Sequence, residues 1–302
     1  MNTFQKVMKN VIISLLVTLG ICAIALVIEV GIFFADWFHS EHNFGSIFPW
    51  GKDDTQTVTG GSITAYPDID SISIDCADYD LSISVNSAID QVQVSYLSNT
   101  GNVSVGTDGD TLIIRQRKSY NLYTLFKNRD VIQIPGSIYV QVPKDFSLDS
   151  LSLSLGEGDT TLGKLAIKQL ELSTGDGEFV ASYTYADNAS ITTQDGDTSF
   201  QNVSFDKVTV TGGDGEIGFS GHLYSSGNFH IGDGNLTLLV YAKRDYYGLS
   251  LSKGEGDIYI DGDNYENVPL TESGSHNIFI ENEKGACNLI FQPQEDNTVS
   301  RK

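Results

Sequence analysis

Basic side chains are scarce in this chain. Eighteen Lys and Arg stand against 39 Asp and Glu, giving a formal charge of −21 and a pI near 4.3. Phosphate binding needs a basic face, so nucleic acid is excluded as a partner, as is electrostatic attachment to anionic lipid. A field of this sign attracts divalent cations and basic partners, and it also keeps a surface soluble. Cysteine is nearly missing, with three residues in 302, too few for a disulfide framework or a cysteine metal motif. Cys22 falls in an apolar run, which leaves Cys76 and Cys287, whose pairing the sequence leaves open. Catalytic signatures are missing too. There is no G-x-S-x-G, no H-E-x-x-H and no phosphate-binding Gly-Lys element. His39, His42, His222, His230 and His276 show no metal spacing. Helix-favouring Ala, Lys and Arg thin out after the first 35 positions. What fills the chain instead is Gly, Ser, Thr, Val, Ile, Tyr and Phe, the composition of strands.

One long hydrophobic run is present, at residues 11–34, interrupted by the single charge of Glu29. As a helix it would extend roughly 36 Å, enough for a bilayer core of about 30 Å. Lys6 and Lys9 precede it and Asp36 and Glu41 follow it, which leaves the N-terminus cytoplasmic. Phe33, Phe34, Trp37 and Phe38 stand where an outer aromatic belt belongs. The run is longer than a signal-peptide core and ends in bulky residues, so the expectation is an uncleaved anchor. The expected order is a cytoplasmic stub (1–10), a transmembrane helix (11–34), a tether (35–55), an all-β ectodomain (56–292) and a disordered tail (293–302).

The ectodomain carries a repeat. "LSTGDGEF" at 172–179 recurs in near copies, and aligning on its second glycine gives Gly158, Gly177, Gly196, Gly215, Gly234 and Gly256. The first four intervals are 19 residues and the last is 22. Apolar columns hold register around it: Leu153, Leu172, Ile191, Val210, Phe229 and Leu251 on one side, Leu162, Ala181, Phe200, Phe219, Leu238 and Ile260 on the other. Alternation on both sides of the glycines predicts strands, and a fixed period of this length predicts a single-stranded β-solenoid with regular rungs over 151–262. Glycine at the corner is expected because sharp turns call for positive φ. The three extra residues of the last interval are expected as a bulge opposite the corner, within "YAKRDYYG". "SISID", "LSISV", "QVQVSY" and "TLIIR" read as earlier strands. "GTDGDTLII" echoes the corner, so irregular rungs are expected there. "HNIFIEN" and "CNLIFQ" are expected to close the C-terminal end.

Stacked rungs lie about 4.8 Å apart, so the acids flanking the glycine form two ladders: Glu157, Asp176, Asp195, Asp214, Asp233 and Glu255, and Asp159, Glu178, Asp197, Glu216, Asn235 and Asp257. Unit charges at that spacing repel by about 0.9 kcal/mol in water, so no bound metal is required. The carboxylates still have the oxygen chemistry of a weak extracellular calcium site. The other reading is an acidic edge that keeps the turns soluble. A second candidate is "RQRKSYNLYTLFKNR" at 115–129, where Arg115, Arg117, Lys118, Lys127 and Arg129 alternate with Tyr120, Tyr123 and Phe126. Such a loop suits partner contact or a cover over one end of the solenoid. Tyr183, Tyr185, Tyr241, Tyr246 and Tyr247 fit a carbohydrate-stacking stripe or ordinary strand filling. Lys164, Lys168, Lys207, Lys243, Arg244 and Lys253 are too scattered to supply the proton abstractor of a β-helix polysaccharide lyase, and no enzyme is expected.

"ISIDCADYDLSIS" (72–84) and "IYVQVPKDFSLDSLSLSLGEGDTTL" (138–162), followed by the Gly-Asp-Gly corners, resemble the bacterial "putative adhesin" family of unknown function, domain of unknown function 4097. The resemblance covers roughly residues 60–291 and implies glycine-punctuated β-helical coils behind a membrane anchor. It implies no catalytic residue. The expected role is a cell-surface binding, adhesin-like or scaffold module, whose partner is an envelope protein or a cell-wall or surface glycan. The alternative is an envelope-stress or signalling accessory working through a membrane partner.

Overall fold

Period-two alternation is realised as strands throughout the described residues. The computed structural model describes residues 63–97, 103–116, 136–265 and 269–293. The expected stub, membrane helix and tether and the tail beyond 293 lie outside them. Among the described residues no helix is long and apolar enough to cross a membrane.

The strands before the repeat are β1 (Thr64–Tyr66), β2 (Ser71–Cys76), β3 (Asp80–Asn86), β4 (Val92–Leu97), β5 (Val103–Asp108), β6 (Thr111–Gln116) and β7 (Ser137–Pro143). The repeat forms β8 (Ser147–Leu155), β9 (Thr160–Gly163), β10 (Ala166–Thr174), β11 (Phe179–Ser182) and β12 (Tyr185–Thr193). It continues through β13 (Thr198–Gly212), β14 (Ile217–Ile231) and β15 (Leu236–Val240). Then come β16 (Tyr247–Lys253), β17 (Ile258–Ile260), β18 (Asp263–Asn264), β19 (Leu270–Thr271), β20 (His276–Asn282) and β21 (Cys287–Phe291).

Each rung is a pair of strands meeting at the glycine corner, and like pairs with like in parallel. Leu151, Leu170, Ala189 and Val208 stand in one register, as do Leu162, Ala181, Phe200 and Phe219. β13 and β14 run on round the opposite corner, so each serves two rungs. Inside, the aligned apolar columns are buried, and Phe179, Phe200, Phe205 and Phe219 pack ring to ring at 5.7, 5.7 and 6.0 Å. Ala181 beside Phe200 is a small residue making room for a large one.

Chain order and stacking order differ at both ends. β2 pairs in parallel with β6 on one side and β8 on the other, and β3 lies between β7 and β9. The β2–β3 rung is therefore inserted between a rung made of β6 and β7 and the β8–β9 rung. At the far end β20 lies between β14 and β16, and β21 between β15 and β17. "HNIFIEN" and "CNLIFQ" do not close the end of the stack. They form the penultimate rung, and Ile280 separates Phe229 from Leu251 in the inner column.

This insertion accounts for the 22-residue interval. From Leu162 to Gln169, or Phe200 to Lys207, the chain uses seven residues to pass the second corner into the next rung. From Leu238 to Gly248 it uses ten, and it does so again from Val140 to Ser150. Both ten-residue passages skip a rung, and the three extra residues span the added rise of about 4.8 Å. Edges are closed by antiparallel strands: β5 on β6 and β4 on β7, with β1 on β4, at one end, and β19 on β16 and β18 on β17 at the other. "GTDGDTLII" turns at Gly109 (φ 62°) as the β5–β6 hairpin and not as a corner, while its "TLII" half is β6 and stacks in parallel on β2 as part of an early, irregular rung.

Candidate functional site

Two corners run along the described rungs, one lined by acids and the other by residues in left-handed conformation. At the first, the rungs of the repeat pass from one strand to the next through the glycine-acid-glycine-acid turn. These glycines do not serve positive φ, since among the described residues the glycines with positive φ are Gly109, Gly221 and Gly262. Close approach demands them. A Cβ on Gly177, Gly196, Gly215 or Gly234 would stand within 3 Å of the backbone carbonyl of the turn beneath. The same holds for Gly285 on Gly234 and for Gly256 on Gly285. "NEKGAC" is thus a degenerate corner hidden from the repeat by Lys284 and Ala286 in the acidic positions.

That corner changes both acidic ladders. Asp233 and Glu255 are not neighbours, because Lys284 lies between their rungs with Nζ 2.6 Å from an Asp233 carboxylate oxygen. In the second ladder the short side chains accept backbone hydrogen bonds from the next turn. Asp80 Oδ1 accepts from Asp159 N–H at 3.2 Å, Asp159 from Glu178 at 3.0 Å, Asp197 from Glu216 at 2.9 Å, and Asn235 from Ala286 at 2.8 Å. Earlier in the same corner, at the level of Cys76, Gln116 accepts from Ala77 and Asp78 N–H at 2.8 Å and donates to Asp78. The predicted calcium ligands Glu157, Asp159, Asp176, Glu178, Asp195, Asp197, Asp214, Glu216, Asp233, Glu255 and Asp257 all lie along this corner. Among the described residues no group of three or more His, Cys, Asp or Glu is arranged to hold a metal ion. Several of these acids instead hold one turn to the next.

Of the predicted partner-contact loop, Arg115 ends up exposed on β6. Arg117, Lys118, Tyr120, Tyr123, Phe126, Lys127 and Arg129 lie outside the described residues. Cys76 and Cys287 are free and buried, on rungs well separated in the stack, so they do not pair. Burial pushes both thiols up to about 12, Asp75 and Asp78 adding to the effect at Cys76.

The second corner has no glycine motif. Asp145, Lys164, Tyr183 and Asn202 follow one another at the 19-residue period, and all are left-handed, with φ of 62°, 62°, 52° and 53°. Gly221 continues the row. Tyr183 is 62% exposed. Tyr241 is tied to the row twice, its N–H donating to Gly221 O at 2.7 Å and its hydroxyl to Asn202 Oδ1 at 3.1 Å. His222 stacks on Tyr224 (centroids 5.6 Å, planes 3° apart) and meets the edge of Tyr241 at 5.6 Å. Burial lowers the His222 pKa against a backbone hydrogen bond at Tyr241, so the ring is neutral at neutral pH. Of the predicted tyrosine stripe, Tyr247 is buried with its hydroxyl on Leu223 O, and Tyr185 donates to Asp187. Tyr183, Tyr241 and Tyr246 remain on this corner. Lys168, Arg244 and Lys253 are paired with Asp149, Glu272 and Asp257, whereas Lys164, Lys207 and Lys243 have no ion pair among the described residues. Sequence reasoning missed the second corner because left-handed positions occupied by Lys and Tyr look like any exposed strand residue.

The family model of the Toastrack DUF4097 matches residues 69–295. Solved structures to which the chain shows similarity include a "putative cell adhesion protein" from Clostridium sporogenes, 12% identical, covering 80% of this chain and 100% of its own, with a TM-score of 0.36. A "putative adhesin" from Bacteroides fragilis is 14% identical over 80% of this chain and 98% of its own, with a TM-score of 0.42. A "putative lipid binding protein" from Parabacteroides distasonis is 16% identical over 79% and 97%, with a TM-score of 0.42. Comparison with curated proteins gives no significant match.

Proposed function

The chain belongs to the Toastrack DUF4097 family, and from that premise we propose that its β-solenoid is a non-catalytic binding or scaffold module. In this reading the helix expected at 11–34 holds it at the outer face of a cell membrane. The observation that carries the reading is the register. Parallel rungs of one period put outward side chains into straight columns, and short antiparallel strands replace parallel stacking at both ends. A surface built this way offers contact groups along a line.

The full chain, purified in detergent and immobilised, is to be exposed separately to membrane proteins, wall polymers and surface polysaccharide from a bacterial envelope. Retention of one class is expected, and retention of none overturns the reading. For the anchor, protease added to intact cells should remove a C-terminal tag while the N-terminus stays protected. A protected tag would reverse the orientation.

A further inference from the structure

We propose that the second corner is a binding site for an oligosaccharide that carries acidic groups. This names the ligand class for the surface-binding reading above and rests on it. Tyr183 is the starting point. An aromatic residue with φ of 52° is strained relative to Asn or Gly at the same place. With 62% of its surface exposed, burial returns little of that cost. A bulky side chain kept at a strained, solvent-facing corner is a contact residue before it is a packing residue.

Its neighbours supply the rest of a sugar site. Lys164, Tyr183, Asn202 and Gly221 advance one rung at a time, about 4.8 Å each, the scale of a pyranose unit. Gly221 puts no side chain into the row, and Tyr241 reaches across it to Asn202. That bond uses the Asn202 oxygen and leaves the exposed amide NH2 free to donate to a hydroxyl. Neutral His222, wedged between Tyr224 and the edge of Tyr241, holds the Tyr241 ring without adding charge. Tyrosine rings stack on the C–H faces of sugars, and amide and phenol groups read their hydroxyls. Lys164 and Lys243 flank the row, both exposed and without an ion pair among the described residues. Lys164 and Lys243 stand as unpaired cations on either side of the tyrosines, with exposed Asp145 one rung beyond Lys164, and they complement carboxylate or phosphate substituents on the glycan.

The test is an array of neutral, uronate-containing and phosphate-bearing oligosaccharides probed with the full chain in detergent. Binding to the acidic sugars is expected, at least tenfold weaker for Tyr183→Asn and for the Lys164→Ala, Lys243→Ala pair, and unchanged for Lys168→Ala. Tyr183→Asn is the decisive variant, because it should melt at a higher temperature than the parent while binding less. Uronate and phosphate arms tell the two sources of negative charge apart. No signal on any glycan, signal on neutral sugars alone, or binding indifferent to these variants overturns the proposal. A chain that still retains an envelope fraction after Tyr183→Asn overturns this site and leaves the surface-binding reading in place, whereas retention lost with no glycan signal points to a protein partner at this corner and overturns the sugar.

Discussion

Lys284 places its ammonium 2.6 Å from a carboxylate oxygen of Asp233, 51 residues earlier in the chain. The contact exists because the C-terminal rung is threaded between two rungs that precede it in sequence. Asp233 pulls the Lys284 pKa upward, first through the hydrogen bond and then through its charge, with Glu255 and Glu283 contributing. One cation thus stands where an unbroken run of acids would otherwise repel.

Lys284→Glu should therefore lower the melting temperature of the full chain, and the loss should shrink in high salt, because the site is exposed and screened. The sign with pH follows from the raised pKa. A lysine whose folded value lies above its unfolded value contributes its full stabilisation below the unfolded pKa of about 10.4 and loses it as pH rises through the folded value. Melts of parent and Lys284→Ala should differ at pH 7 and converge in strong alkali. A difference that persists there, or that ignores salt, assigns the effect to packing.

Gly177→Ala should be among the most damaging single changes in the repeat. Its Cβ meets the backbone carbonyls of Gly158 and Glu157, which cannot swing aside as a side chain would. A loss of roughly 3 kcal/mol is expected. Gly163→Ala is the control, since nothing lies within 4 Å of its Cβ and its φ is not left-handed. It should be neutral or stabilising by up to about 1 kcal/mol. Denaturant midpoints of the two variants decide between close approach and turn conformation as the reason for the glycines.

The second acidic ladder makes a different demand. Asp197 Oδ1 accepts from Glu216 N–H, and Asp159 Oδ1 from Glu178 N–H, but Glu178 makes no such bond to the turn above it. Asp197→Asn keeps the accepting oxygen and should leave stability within about 0.5 kcal/mol, whereas Asp197→Ala should cost about 1 kcal/mol. Glu178→Asp, one methylene shorter, should gain up to about 1 kcal/mol by restoring the bond. Melts with millimolar calcium and with chelator should coincide. A calcium-dependent rise that Asp197→Asn abolishes would return the ladder to metal binding.

The repeat was legible because Leu153, Leu172, Ile191, Val210 and Phe229 recur at one spacing and face one core, and hydrophobic period is a property of sequence alone. Stacking order was not, because it depends on which edge a strand meets in space. Gly285 fulfils the same close-approach requirement as Gly234, yet Lys284 and Ala286 erase the acidic signature, and the intervening antiparallel strands break the period. The second corner stayed hidden for a related reason. Its requirement is a backbone angle, which Asp145, Lys164, Tyr183 and Asn202 meet with four different side chains.

Connector length should decide whether the C-terminal rung finds its slot. The passage from Leu238 to Gly248 carries three residues more than a regular passage, and this excess lets the β16–β17 rung stand one level further out. Deleting residues 243–245 removes it, so that rung should fall directly onto β14 and β15 and exclude β20 and β21. Cys287 reports the outcome. Its thiol is buried and pushed up to about 12 in the parent, so it should resist a thiol reagent at pH 8, as should Cys76. In a Cys22→Ser background the deletion should make Cys287 reactive while Cys76 stays protected. The deletion also removes Arg244, which donates to Tyr265 at 3.0 Å and pairs with Glu272 at 3.2 Å. Arg244→Ala, with the connector at full length, separates the two effects: it should lower stability by about 1 kcal/mol and leave Cys287 unreactive. If Cys287 stays protected in the deletion, the order of the rungs is set by strand pairing alone and the three residues are slack.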